Sequence, residues 1–334
     1  MKTSIDIHNH TIASGHAFST VQEMAHAAAG KGIEYLGITD HGPAVPGTCD
    51  PVYFRNYPCV PREMYGVKLL MGCELNILNS KGELDLDEFH YGFMDIRLAG
   101  IHRQCWTPGT KEENTEGVLK VMANPWVNVI AHPGDGTAEL DFEPLVKASR
   151  ETETLLEINS ASLKPYRKKT TAKPKNLEIL RLCKKYDVPV ILSADAHISF
   201  DIANYEYALP LLVDAEFPEE LVLNDKAEAF FAYTGIIWNQ NKKDNQRFIM
   251  QKETIYWGKC FATVEPPTDD YELWFFSDGK VLRENKAFAH MRELKEQGIT
   301  LIEVKLTKYP SGSRSEETPL SEEEAKNLSR VNYD

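Results

Sequence analysis

The chain has 334 residues, which suits one large domain and a smaller one. With 42% hydrophobic and 26% charged residues it is an ordinary globular protein, not a disordered one. A net charge of −13 argues against long nucleic acid as a partner, whose binding depends on neutralised phosphates, yet leaves a small anionic substrate open once divalent cations are bound.

In chain order, strands are expected over 4–8, 34–39, 67–76, 94–102, 127–131, 154–159 and 188–194. Apolar residues three or four apart predict helices over 20–30, 112–122, 143–151 and 176–185, with a last helix over 219–234. This β-α alternation predicts an α/β fold of parallel strands with crossover helices. Seven units in so short a stretch predict a closed barrel, because an open sheet would leave edges. The expected barrel domain is 1–237. Residues 238–334 are read as a small α+β appendage: a hairpin over 247–264 turning near Trp257-Gly258, a strand over 271–276, a helix over 284–297, a strand over 300–306, and a polar tail with one short helix over 321–330. The appendage could cap the barrel or build a homo-oligomer. The N-terminus MKTSIDIHNH has no apolar signal core, and no apolar run reaches the ~18 residues of a membrane span. The six cysteines form no CxxC pair, so reduced thiols and a cytoplasmic location are expected, with no membrane partner.

The chemistry gathers at the C-terminal ends of the expected strands. The first ends in Asp6-Ile7-His8-Asn9-His10, with His16 soon after, and the second in Asp40-His41. The next three end in Glu74, His102 and His132, the sixth in Glu157-Ile158-Asn159, and the seventh in Asp195-Ala196-His197. One rim of an α/β barrel gathers its strand ends, and that rim carries the active site. Period two along a strand predicts that Asp6, His8 and His10 share one face. Seven of the ten histidines fall at these ends; His26, His90 and His290 do not, and are read as having no part in the site. A single histidine at a strand end is ordinarily a hydrogen-bonded surface residue, but sorting of this kind predicts a metal cup of His8, His10, His16, His41, Glu74, His102, His132, Asp195 and His197. Nine donors exceed the needs of one ion and suit three, with a carboxylate bridging two. Imidazole with carboxylate suits zinc, manganese or iron.

The motifs DIHNHT, GITDHGP, GCELNI, AGIH, AHPG, LEINSAS and SADAH, in this order, resemble those of the PHP (polymerase and histidinol phosphatase) superfamily, and within it the YcdX-type phosphatases. The resemblance runs from Asp6 to about Thr234. It implies a distorted (β/α)7 barrel (PHP fold), a trinuclear metal centre and hydrolysis of phosphate esters. Carried over position by position, it gives one ion to His8, His10, Glu74 and Asp195, a second to Glu74, His102 and His132, and a third to His16, His41 and His197. Arg167 falls where the family carries an Arg-Lys pair and is expected to grip the substrate phosphate, with Arg103 as a further candidate. The chain departs from the family's pattern after His102, in Arg103-Gln104-Cys105-Trp106, and in the long loop 44–65, which is expected to shape the pocket.

The expected reaction is attack on phosphorus by a hydroxide held between metals, with Glu74 and Asp195 at its centre and Asp6 and Asp40 orienting ligand histidines. The expected substrate is a small phosphate monoester; histidinol phosphate, a nucleotide or a short oligonucleotide diester are alternatives. Two other readings are an amidohydrolase, disfavoured because no lysine stands at a strand end, and a non-catalytic metal-binding module.

Overall fold

The computed structural model describes residues 3–238, the backbone of five strands between 254 and 319, and Met291. The chain divides into two compact units, Met1–Asn241 and Lys242–Asp334.

The first unit alternates strand and helix along the chain. Its elements are β1 (Ile5–Asp6), α1 (Val21–Gly30), β2 (Tyr35–His41), α2 (Val52–Arg55), β3 (Glu63–Met64), β4 (Val67–Asn76), α3 (Glu88–Tyr91) and β5 (Ile96–Gly100). They continue with α4 (Lys111–Met122), β6 (Val129–Ile130), α5 (Phe142–Thr152), β7 (Leu155–Asn159), α6 (Ala172–Tyr186), β8 (Val190–Ser193), α7 (Leu209–Asp214) and α8 (Ala227–Thr234). Seven strands pair in parallel in the order β1-β2-β4-β5-β6-β7-β8, with β3 an antiparallel flap on β4. The sheet nearly closes. Asn9 bridges Ala196 in parallel, and the buried Asn224 spans the seam, donating to Ile5 O (3.1 Å) and Leu192 O (2.8 Å). The expected (β/α)7 barrel is thus borne out.

Local chemistry sets the helix ends. Thr20 with Glu23 and Thr110 with Glu113 form capping boxes that satisfy the first amides of α1 and α4. Asp187 closes α6 in the left-handed region at φ 55. Alternation along the strands separates two cores. Ile96 and Leu98 of β5 join Leu70, Val129, Leu155 and Ile191 inside the barrel, and α8 inserts Phe230 into this cluster. Leu69, Met71, Cys73 and Leu75 of β4 face the helices.

Three expectations need correction. The last helix is not continuous over 219–234: a 3-10 turn, Glu219–Leu221, precedes an extended stretch in which Val222 bridges Val190 and Asn224 closes the barrel, and only then does α8 begin. The backbone groups of the barrel seam need partners, and that need overrides helix propensity there. In the second unit β9 (Thr254–Ala262) runs straight through Trp257-Gly258, where a turn was expected. Gly258 pairs with Phe275 of β10 (Tyr271–Phe276). Finally, β12 (Thr300–Tyr309) pairs along its length with β13 (Gly312–Pro319), a strand in the segment read as a polar tail. With β11 (Val281–Arg283) these make a sheet of order β11-β10-β9-β12-β13, in which β9 and β12 run parallel. The helices expected over 284–297 (apart from Met291) and 321–330 lie outside the described residues. Among the described residues no helix is long and apolar enough to cross a membrane.

Candidate metal centre

Above the inner apolar layer the barrel turns polar. Glu74, near the end of β4, is 1% exposed and lies at the middle of the cup. Its Oε1 lies 2.7 Å from His132 Nε2 and 3.1 Å from His102 Nε2. Its Oε2 lies 2.9 Å from His41 Nδ1, 3.2 Å from His8 Nε2 and 3.4 Å from His10 Nε2. Asp195, at φ 48 after β8, reaches His10 Nε2 (3.2 Å), His197 Nδ1 (3.4 Å) and His8 Nε2 (3.7 Å). His16 is exposed at the mouth, its ring 5.1 Å from that of His41 and 4.9 Å from that of His197. All nine residues singled out from the sequence therefore meet in one cup.

Among the described residues three sets of donors lie close enough to share a cation: His8, His10 and Glu74; His41, Glu74 and His102; and His10, His41 and His197. The donors fit a metal by a direct test. Glu74 Oε2 and His41 Nδ1 are buried without a hydrogen-bond partner, although they lie 2.9 Å apart. His8 Nε2 and His10 Nε2 face each other at 3.0 Å. Buried acceptors turned on one another are costly unless a cation lies between them.

The second layer decides which nitrogen of each ring faces inward. Glu157 takes the Nδ1 side of His8 at 2.6 Å. Ser14 Oγ, whose own hydroxyl donates to Asp40 (2.7 Å), lies 3.1 Å from His10 Nδ1. Asn76 Oδ1 lies 2.7 Å from His102 Nδ1, its amide group donating to Asp85. Each partner accepts a proton on Nδ1 and leaves Nε2 bare toward the cup. Asp40 thus orients a histidine at one remove, and Tyr53 from the loop 44–65 donates to it at 2.9 Å. Asp6 braces backbone and bonds to no histidine ring; the His8 backbone N–H is among its donors. It accepts from the amides of Ala203 (2.8 Å) and Ala194 (3.4 Å), and burial pushes it up to about 6. The regular ladder of β1 ends at Asp6, so strict alternation with His8 and His10 does not hold.

Without metal, the charges balance internally. Burial opposes ionisation of Glu74, but His8, His102 and His41 outweigh it and hold the carboxyl well below the usual range. Burial likewise opposes charge on Asp195, yet His8, His10 and His197 hold it low. His8 is held well above the ordinary range, because Glu157, Glu74 and Asp195 overcome its burial. His132 is raised to about 9 against its burial by Glu74 and Asp135. Burial, reinforced by His41 and His197, drives His10 well down. Two ionised carboxylates are ready as ligands.

The arginines stand apart from this network. Arg167 is exposed, its guanidinium 5.7 Å from the Tyr166 ring centroid, and Arg103 donates to Thr137 O at 3.0 Å. His26 packs edge-on against Tyr65, and His90 pairs with Asp87 at 2.6 Å. His290 lies outside the described residues. Reading by strand ends named Glu157 only as a neighbour and passed over Asn76 and Ser14. The available signal was a carboxylate inside the apolar strand Leu155-Leu156-Glu157-Ile158, which must be paired to be buried.

The PHP domain model matches residues 6–158. A probable phosphatase of Clostridium novyi (strain NT) is 42% identical over 233 residues, covering 70% of this chain and 95% of that protein. A probable phosphatase of Acetivibrio thermocellus is 43% identical over 233 residues, with the same coverage. Among solved structures, histidinol phosphate phosphatase from Lactococcus lactis subsp. lactis Il1403, complexed with zinc, L-histidinol and phosphate, aligns with a TM-score of 0.48 at 20% identity, covering 65% of this chain and 95% of that chain.

Proposed function

This chain belongs to the PHP domain family, and on that premise we propose that it is a metal-dependent phosphatase acting on small phosphate monoesters. The observation that carries the reading is Glu74: one buried carboxylate with five imidazole nitrogens within 3.4 Å and an oxygen lacking a hydrogen bond. In this reading His8, His10, Glu74 and Asp195 hold one ion, Glu74, His102 and His132 a second, and His16, His41 and His197 a third. Zinc fits the imidazole-rich set best, with manganese or iron as alternatives. Such ions, when bound, supply positive charge for phosphoryl oxygens and make water more acidic near neutral pH.

The chain's own residues do the positioning. Glu157, Ser14 and Asn76 present Nε2 of His8, His10 and His102 to the cup. Glu74, lying between the groups, keeps them together. Arg167, exposed beyond β7, offers a planar fork for the substrate phosphate. The net charge of −13 disfavours long nucleic acid and leaves a small phosphorylated molecule as the partner. The five cysteines among the described residues are free, which suits a reducing, cytoplasmic setting. Residues 1–237 carry this chemistry.

The test is hydrolysis of p-nitrophenyl phosphate against its bis-ester, with Arg167→Ala alongside. Turnover of the monoester is expected, and the arginine variant is expected to raise KM about tenfold with little change in kcat. Turnover of the bis-ester alone would replace the monoesterase with a phosphodiesterase. An unchanged KM would remove Arg167 from phosphate binding.

A further inference from the structure

Glu157 sits on β7, 0% exposed, and its carboxylate is saturated. Oε1 lies 2.6 Å from His8 Nδ1 and accepts the Ser193 hydroxyl. Oε2 accepts the backbone N–H of His132 at 2.5 Å and the side-chain amide of Asn159 at 3.1 Å. A carboxylate offers about four lone-pair directions, and here each meets a donor. The donors come from widely separated places: the segment after β1, the segment after β6, the end of β7 and the end of β8.

Two of these contacts bear on the cup. With Glu157 accepting, His8 carries its proton on Nδ1. Its Nε2, the atom facing Glu74 Oε2 and His10 Nε2, is left with a free lone pair. His132 has φ 34 and precedes Pro133, a combination that steric conflict disfavours and that persists only where the surroundings enforce it. The bond from its N–H to Glu157 is such an enforcement, and with the backbone so turned His132 Nε2 reaches Glu74 Oε1 at 2.7 Å.

We propose that Glu157 is a positioning residue that sets the His8 ring and the His132 backbone with one carboxylate, and so couples two neighbouring metal positions while leaving the third alone. This rests on the metal reading above. Glu157→Gln separates the roles, because glutamine keeps the size but has one acceptor oxygen and one donating NH2. In one orientation that NH2 opposes the His132 amide. In the other it donates to His8 Nδ1 and moves the ring proton to Nε2, toward the cup.

The experiment is a zinc titration of the full chain against a chromophoric chelator, wild type beside Glu157→Gln, with circular dichroism and melting to follow the fold. The variant is expected to bind two zinc equivalents about 10–100-fold more weakly, with the third equivalent and the fold unchanged. Wild-type affinity at every equivalent would overturn the proposal while leaving the metal reading intact. Equal weakening of all equivalents with a large fall in melting temperature would overturn it too, in favour of a general packing role. A wild-type chain that takes up no zinc would sink both. Should the variant not fold, the nitrogen resonances of His8 in the zinc-loaded wild type decide: protonation at Nδ1 is required, and protonation at Nε2 contradicts the proposal.

Discussion

Glu74→Gln is expected to lower kcat/KM for p-nitrophenyl phosphate by about 10³-fold or more, on the several kcal/mol that metal charge contributes to phosphoryl transition states. The size follows from geometry. Both oxygens of Glu74 face imidazole nitrogens: Oε1 those of His102 and His132, and Oε2, which has no hydrogen bond, those of His8, His10 and His41. A neutral amide removes the negative charge shared by these groups and turns a donor toward at least two nitrogens that should be bare. Near-equal size keeps the core filled, so the circular dichroism spectrum should be retained. Initial rates on the purified variant check this, and activity within about tenfold of wild type would remove Glu74 from its central place.

Gly37→Ala is expected to destabilise the first unit by about 3 kcal/mol or more, the upper range for overpacking. For a unit of this size that is a fall of roughly 6–12 °C in melting temperature. An added Cβ would lie 2.2 Å from Ile7 O, 2.6 Å from Ile7 C and 2.7 Å from Ile7 Cα. All three are backbone atoms of the segment that carries His8, so no rotamer change relieves the clash. The strands must separate, and metal binding should weaken with stability. Gly30→Ala, at the end of α1 with nothing within 4 Å of the new methyl, is the control and should be neutral or slightly stabilising. A Gly37→Ala chain melting within about 2 °C of wild type would refute the close contact.

The barrel was legible because its signals are local and repeated. Val67–Asn76 and Leu155–Asn159 are apolar runs that end in polar residues, and helical spacing lies between such runs. The cup was legible because strand termini gather in any such barrel, so His8, Glu74, His102 and His197 could be grouped without coordinates. What escaped depends on contacts between distant segments. Asp6 looked like a companion of His8, but it braces the backbone at Ala194 and Ala203, a choice made by the closing turn after β8. Glu157 joins four segments, and nothing in the local pattern states which donors reach it. In the second unit, Gly258 read as a turn because glycine commonly marks one. Pairing with Phe275 carries the strand through it.

The most direct test of the account is the metal content of the purified chain by elemental analysis, read together with monoester turnover before and after chelation. The account predicts about three zinc, manganese or iron ions per chain, with turnover lost on chelation, restored by the metal, and absent in His10→Ala. At most one ion per chain, or turnover indifferent to chelator and to His10→Ala, would contradict it.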